Sequence, residues 1–440
     1  MSSGETTVGV RISSVTATSW RATPATRPNL EFDLTETFAS FYALFAQLPS
    51  VLAQRRFTGD SVAVGRHSDA VSLGSFERAE AILFALPVPA RHVVAMVNLD
   101  FRAGEFVYSA DSQLCRALAA CVDGQLLLNG RPIFAIVDDL AHEVAADNVR
   151  ARPLSEAHTV ISVHGDERTM PDEAMIANVL YGTQAPYRPE FVQLYRPAAL
   201  NRTVESYAAT TRHASFLFGQ SHVVENSILL TTVQAVATAA RFDEIWDEAK
   251  QQVRHFQART QTDGGQMRVD VEQLADTIGN LELELALDVE ATPDVGLGSS
   301  TPLVEDFHHD LYAAMKIRDR SRSVGQLLAR VKSSLESELI AIDSRERADA
   351  TLSIEAIASL LSVVGLPIFF LLAYFGVNAR EVDQDASMFS GRYWPAYAGA
   401  ALLGLLALAL MWPRLRRAAG RTVGGGRRWW PARGMPRSRR

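Results

Sequence analysis

Residues 356–379, AIASLLSVVGLPIFFLLAYFGVNA, form a run of 24 residues without a charged side chain. A second uncharged run of 20 residues, YWPAYAGAALLGLLALALMW, covers 393–412. Because a helix rises about 1.5 Å per residue, each run can cross a hydrocarbon core of about 30 Å. A single run of this kind is also typical of a buried helix in a soluble protein. Two runs in tandem, closed by a basic tail, predict a two-helix membrane anchor.

The charges around these runs are distributed asymmetrically. Arg345 and Arg347 precede the first run, and residues 414–440 contain ten arginines and no acidic residue. The link at 380–392 has two arginines against three acids, which are Glu381, Asp383 and Asp385. Because Lys and Arg are enriched in cytoplasmic flanks, both chain ends are predicted to be cytoplasmic and the link external. The expected location is an inner (plasma) membrane of bacterial type, crossed twice.

The remainder of the chain is acidic. The formal charge is −7, and without the ten tail arginines residues 1–413 carry −17, which would raise the local concentration of cations. No P-loop, GxGxxG after a strand, HExxH or GxSxG is present, so no enzyme is predicted. Cys115 and Cys121 are too few for a disulfide framework and are predicted to be reduced core thiols. The expected partners are the lipid bilayer, metal cations and further copies of the chain, with no nucleic acid.

The N-terminal half has a mixed pattern. Residues 1–29 are rich in Ser and Thr, lack an apolar run and are predicted to be a disordered arm. Residues 30–200 are predicted to form a cytoplasmic α/β domain. The expected strands cover 81–88, 92–101, 124–130, 132–139 and 158–165, and the expected helices cover 36–55 and 111–122.

Residues 201–350 are predicted to be helical. The segment 201–257 has no Pro and one Gly, 269–290 carries seven acids, and Pro302 stands where a helix could begin. From Leu303 to about Gly376 the only proline is at 367, which predicts one stalk helix of roughly 110 Å. Its apolar stripe recurs every three or four residues, at Val324, Leu328, Val331, Leu335, Leu339 and Ile342. Such a stripe needs neighbours to bury it, so an oligomer is expected.

The predicted fold class is therefore an α+β membrane protein, with a cytoplasmic α/β domain, a long helical stalk and two C-terminal transmembrane helices. The expected boundaries are 1–29 for the arm, 30–200 for the domain, 201–350 for the stalk region, 351–378 for the first span, 379–392 for the external loop, 393–413 for the second span and 414–440 for the tail.

The end of the first run, PIFFLLAYFGVN at 367–378, resembles the CorA family of magnesium channels. In that family the first span ends in Gly-Met-Asn, with a proline eleven residues before the asparagine. Here the triplet is Gly376-Val377-Asn378, and Pro367 lies eleven residues before Asn378. The layout of domain, acidic helices, stalk, loop, second span and basic tail also agrees. Two positions differ, because Val377 replaces the usual Met and Phe369 replaces the usual Thr.

The resemblance implies a homopentameric channel that conducts divalent cations passively. Mg²⁺ is the expected ion, with Co²⁺, Ni²⁺ and Zn²⁺ as alternatives, and no tightly bound cofactor is expected. Because Mg²⁺ gives up its water reluctantly, a ring of Asn378 side chains would accept hydrogen bonds from the hydrated ion. The acids of the loop, Glu381, Asp383 and Asp385, would concentrate cations at the mouth.

The same resemblance implies a pore wall on the first span. Read down the face of Asn378, its side chains would be Phe369, Leu366, Ser362 and either Ala358 or Ser359, with Pro367 as a helix kink. Leu366 and Phe369 would form an apolar ring, which could act as a dewetting gate or as a plug. Arg414, Arg416 and Arg417 could form a basic collar at the inner mouth or could bind anionic headgroups.

Two other interpretations stay open. The anchor could belong to a non-transporting membrane effector or scaffold whose α/β domain binds a ligand or protein, with the triplet serving only as a helix end. His308 and His309 are metal-site candidates at the start of the stalk. Because neighbouring residues on a helix point about 100° apart, the two are not expected to share one ion easily; a solvated helix start is the alternative.

Overall fold

The computed structural model divides into two units, Met1–Leu335 and Glu336–Arg440. The residues that the structure describes are 8–23, 50–59, 62–64, 71–72, 76–86, 92–104, 108, 112–122, 124–145, 152–165, 170–181, 192–260, 267–286, 302–377 and 391–424.

The first unit is a mixed α+β structure built on two sheets. The larger sheet has seven strands in the order β10-β11-β9-β1-β6-β5-β2, and the smaller has the order β4-β3-β7-β8. Only β9 and β11 pair in parallel among the described strands. The strands are β1 (Val8–Arg21), β2 (Ser50–Thr58), β3 (Val62–Val64), β4 (Val71–Ser72), β5 (Arg78–Ala85), β6 (His92–Ala103), β7 (Leu126–Leu128), β8 (Arg131–Pro132), β9 (Pro153–His164), β10 (Tyr207–Thr210) and β11 (Ala214–Phe218).

Strand β1 lies in the middle of the larger sheet, so the prediction of a disordered arm at residues 1–29 is wrong for 8–21. The strand pairs antiparallel with β6 on one side and with β9 on the other. Val8, Val10 and Ile12 alternate along it and are buried in the main apolar core. Its apolar residues alternate with polar ones instead of forming a run, which is the pattern of a strand.

Three short helices cover the core face of this sheet. They are α1 (Gln113–Val122), α2 (Ile133–Val144) and α3 (Glu173–Tyr181). The predicted strand at 132–139 is wrong, because α2 begins directly after Pro132. Its buried residues recur at helical spacing, at Ile136, Val137, Leu140 and Ala141. The predicted helix at 36–55 is wrong for 50–55, which belong to β2, and 36–49 lie outside the described residues.

A long helix, α4 (His222–Thr260), contacts β1, β6 and β9 of the same sheet. Its side chains do not belong to the apolar core that contains Val8, Val10 and Ile12, so it covers the other face. The predicted helical region was placed too early, because β10 and β11 lie at 207–218 and complete the sheet. The sheet therefore extends past the expected domain boundary at 200.

Three helices follow α4 along the chain: α5 (Met267–Glu284), α6 (Pro302–Ala314) and α7 (Ile317–Val377). Helix α6 begins at Pro302, as predicted. The predicted single stalk helix is interrupted at Lys316, whose φ of 56° is left-handed and ends a helical run. Val324, Leu328 and Leu335 of the predicted stripe are buried in the first unit.

The described residues of the second unit form the rest of α7, a short 3-10 turn at Gly391–Tyr393, and α8 (Trp394–Gly424). Pro367 lies inside α7. The stretches that the two uncharged runs predicted as helices are thus helical wherever the structure describes them.

Candidate functional site

The second unit carries two apolar helical segments. Ala350–Tyr374 of α7 is long and apolar enough to cross a membrane by length and composition. None of its most apolar stretch is buried, and Trp394–Ala409 of α8 is a shorter apolar segment. His222–Gln257 of α4 is also long and apolar enough, but 83 % of its most apolar 18 residues are buried inside the structure. Helix α4 is therefore a core helix of the first unit.

Within the second unit, α7 and α8 contact each other through small residues. A side chain added at Gly399 would place its first carbon 3.1 Å from Phe370 Cε1, and one at Gly404 would lie 3.4 Å from Pro367 Cγ. The later residue of α8 meets the earlier residue of α7, so the two helices run antiparallel at this contact. Small residues are the usual means of bringing apolar helices close together.

The predicted pore-wall residues share one face of α7. Ser359, Ser362, Leu366 and Phe369 are spaced by three or four residues, and the Leu366 and Phe369 side chains are 52 % and 73 % exposed. The Ser362 hydroxyl donates a hydrogen bond to the Ala358 carbonyl, at 2.9 Å. Its proton is thus satisfied by its own helix.

Gly376 and Val377 are the last two residues of α7. Asn378 and the loop acids Glu381, Asp383 and Asp385 lie outside the described residues. The arginines of the proposed collar, Arg414, Arg416 and Arg417, belong to α8.

His308 and His309 do not come together in α6. His308 is 8 % exposed and its ring stacks on Tyr312, at 4.0 Å between centroids, whereas His309 is exposed. Burial lowers the pKa of His308 to about 4, with smaller contributions from His309 and Arg318. The two rings thus point to different surroundings, as the helical geometry predicts.

A cluster that the sequence did not suggest forms in the first unit, where β9 ends and α4 begins. His164 is the last residue of β9, and Arg11 of β1 lies opposite Ser162 of β9 and Asp100 of β6. Because residues two apart on a strand share a face, Ser162 and His164 lie on the face with Arg11. We call His164, His222 and Glu225 the His/Glu cluster.

The start of α4 completes this cluster. Gly219 precedes it with a left-handed φ of 63°, and a side chain there would collide with the Glu205 carbonyl oxygen, at 2.1 Å. This tight turn places His222 in the first turn of α4, with Glu225 three residues further on the same face.

The ligand-type atoms of the cluster are close together. Glu225 Oε2 lies 3.3 Å from His164 Nε2 and 3.3 Å from His222 Nδ1. All three ligand atoms lie within 4.8 Å of one another, and no other group of three His, Cys, Asp or Glu side chains in the described part of the chain meets that test. The Glu225 side chain is fully buried, whereas 32 % of His164 and 73 % of His222 are exposed.

The charge on Glu225 is retained in spite of its burial. Burial opposes ionisation, but hydrogen bonds from His164 and Ser162 and the positive charge of Arg11 together lower the pKa of Glu225 to about 2. Arg11 Nη1 is 3.5 Å from Glu225 Oε1, which has no hydrogen-bond partner among the described residues. Arg11 is itself paired with Asp100, at 2.7 Å.

Only part of this cluster has a signal in the sequence. A histidine and a glutamate three residues apart at a helix start would share one face, so His222 and Glu225 could have been paired. His164 joins them through the parallel pairing of β9 with β11, which a single sequence does not reveal. Comparison with protein-family models, with curated proteins and with solved structures finds no match to this chain.

Proposed function

We propose that the chain is a membrane-anchored, homo-oligomeric divalent-cation channel in which α7 and α8 span the bilayer as an antiparallel pair. Mg²⁺ is the ion we expect it to carry, with Co²⁺, Ni²⁺ or Zn²⁺ as alternatives. The proposal is supported first by the uncovered apolar surface of the second unit, and then by the motif at its edge.

The exposed apolar surface of α7 is too large to be stable in contact with water. Nine large apolar side chains between 354 and 372 are at least 37 % exposed: Ile354, Ile357, Leu361, Val364, Leu366, Ile368, Phe369, Phe370 and Leu372. At roughly 1.5–3 kcal/mol for each fully exposed side chain, their hydration would cost on the order of 10 kcal/mol. Since whole domains are stable by only about 5–15 kcal/mol, this cost supports cover by lipid or by neighbouring subunits.

The antiparallel contact between α7 and α8 supports a hairpin that crosses the bilayer twice. Large side chains of α8 point away from α7: Trp394, Leu402 and Leu405 are 66–68 % exposed. Small residues toward the neighbouring helix and large ones outward are typical of helices in lipid. The basic residues after 413 then belong on the cytoplasmic side.

The channel function rests on the triplet Gly376-Val377-Asn378 at the outer end of the first apolar segment. An oligomer would bring one Asn378 per subunit to the mouth, where carboxamide oxygens can contact the waters of a hydrated Mg²⁺. The loop acids would draw cations toward that ring. The stalk part of α7 would couple the first unit to the pore.

A second candidate function is a non-transporting membrane effector. It is favoured by the pore-wall face itself, because Leu366 and Phe369 are bulky and apolar and the Ser362 proton is used within the helix. A ring of such residues excludes water and ions unless it opens.

Ion flux separates these two functions. We would reconstitute the purified chain in liposomes and measure uptake of Mg²⁺ and Zn²⁺ separately. Asn378→Ala should abolish flux, whereas Asn280→Ala, at an exposed position of α5, should leave it unchanged. No flux from the folded oligomer, even after a chelator removes inhibitory metal, would overturn the channel and favour the effector.

A further inference from the structure

We propose that the His/Glu cluster is a binding site for one Zn²⁺-type transition-metal ion, held by His164 Nε2, His222 Nδ1 and one carboxylate oxygen of Glu225. This site lies within the first unit and does not depend on whether the chain conducts ions.

The distances between the ligand atoms fit a bound metal ion. Zinc bonds of 2.0–2.2 Å at tetrahedral angles put neighbouring ligand atoms about 3.3 Å apart. Both histidine nitrogens lie 3.3 Å from the same oxygen, Glu225 Oε2. Both contacts also serve as hydrogen bonds, just beyond the long end of the usual range of about 2.7–3.2 Å. Two of the three ligand-atom separations therefore match a tetrahedral zinc site, and the third, between the two histidine nitrogens, is within 4.8 Å.

The charges around the cluster are also compatible with a bound cation. Arg11 and Asp100 form their own ion pair, at 2.7 Å, so the remaining fixed charge beside the histidines is the Glu225 carboxylate. A buried carboxylate is costly unless it is compensated, and Arg11 approaches only its Oε1 atom, at 3.5 Å. A cation on the Oε2 side would add to the compensation that Arg11, His164 and Ser162 already provide.

The ligand set selects the class of metal. Two imidazole nitrogens and one carboxylate suit zinc and its neighbours, whereas Mg²⁺ and Ca²⁺ take oxygen ligands. Three protein ligands leave one coordination position for water. His222 is 73 % exposed, so this position can open to solvent and the ion can enter without a rearrangement of the core. A bound ion would tie the end of β9 to the start of α4.

The test is zinc binding by the whole chain, purified in detergent without a polyhistidine tag and freed of metal with a chelator. ZnCl₂ would be titrated in competition with a chromogenic chelator, with MgCl₂ as the comparison ion. We expect each chain to take one Zn²⁺ from the chelator. When CoCl₂ replaces ZnCl₂, we expect the visible absorption band of four-coordinate Co²⁺. Mg²⁺ should not displace either ion.

His222→Ala removes one ligand at an exposed position and should weaken Zn²⁺ binding by about 10-fold or more, with loss of the cobalt band. His255→Ala changes an exposed histidine on the same helix and should bind like the wild-type chain. Circular dichroism would verify that both variants are folded. Absence of a stoichiometric site, or equal affinity in the wild-type chain and His222→Ala, would overturn the proposal. Neither outcome bears on ion flux, which the Asn378→Ala comparison tests separately.

Discussion

Three histidines of the first unit, His92, His158 and His308, are buried. Burial lowers the pKa of His92, His158 and His308 to about 4 in each case. At His92 the carboxylate of Glu244, 4.0 Å away, opposes this shift but does not overcome it. The folded chain therefore keeps these rings neutral at pH values where an unfolded chain, with ordinary histidine pKa values near 6.5, binds protons.

The resulting prediction is a loss of stability as the pH falls from about 6.5 to about 4. In that window the unfolded state binds more protons, so the free energy of unfolding decreases with falling pH, by up to roughly 3 kcal/mol for each histidine. Urea unfolding at pH 7.5, 6 and 5 measures it. His92→Leu should reduce the slope, and His255→Leu controls for loss of an exposed imidazole. An equal slope in wild type and His92→Leu would contradict the assignment to His92.

Glu225 affects the stability of the fold at lower pH values than the three histidines do. Its pKa of about 2 lies below the ordinary value of 4.5, so its contribution to stability is complete above pH 4.5 and is lost as the pH falls toward 2. The histidine and glutamate effects can therefore be separated by pH alone.

Two glycines of the first unit should respond oppositely to alanine. Gly219→Ala forces a left-handed φ on a side chain that also collides with the Glu205 carbonyl, so a loss of more than about 1 kcal/mol is expected. Gly279→Ala lies within α5 with nothing inside 4 Å of the new carbon and should gain about 0.5–1 kcal/mol. Urea midpoints of the two variants provide the comparison. A neutral Gly219→Ala would mean that the turn before His222 relaxes freely.

At the scale of elements, the sequence predicts long helices better than short ones. The apolar segments of α7 and α8 are uncharged over more than 18 residues, and this signal does not depend on the neighbours. The α2 segment has apolar residues in a short dense run, which fits both a strand and a helix. The burial of Ile136 and Leu140, which are four residues apart, identifies the segment as a helix.

The contact between α7 and α8 gives a prediction at the same scale. Gly399→Leu should destabilise the antiparallel pair, because even the first side-chain carbon meets the Phe370 ring at 3.1 Å. Ala401→Leu places the same side chain at an exposed position of α8 and should be tolerated. Thermal unfolding in detergent and proteolysis of the 378–390 segment would measure the difference. Equal stability of the two variants would show that the contact is not a packing constraint.

For the whole molecule, prediction from the sequence is limited by how far apart in the chain the contacting residues lie. The order of a mixed domain, acidic helices and two apolar segments can be read from local composition. The His/Glu cluster joins residues 164 and 222–225 only after β1, β9 and β11 adopt their register in one sheet. Strand β1 shows the same limit, because its place in the centre of that sheet depends on partners about 80 and 150 residues away. Non-local pairing is thus the part that a single sequence leaves open.

Membrane topology is the prediction that tests the whole molecule. If α7 and α8 cross the bilayer as a hairpin, the 378–390 link and the 425–440 tail lie on opposite sides. In a chain with Cys115 and Cys121 replaced by serine, Ser387→Cys should react with a membrane-impermeant maleimide added to intact cells. Ser438→Cys should react only after permeabilisation, because the ten arginines after 413 favour a cytoplasmic tail. Equal labelling of both positions in intact cells would exclude the hairpin, and the pore would then lose the external mouth on which ion recognition by Asn378 depends.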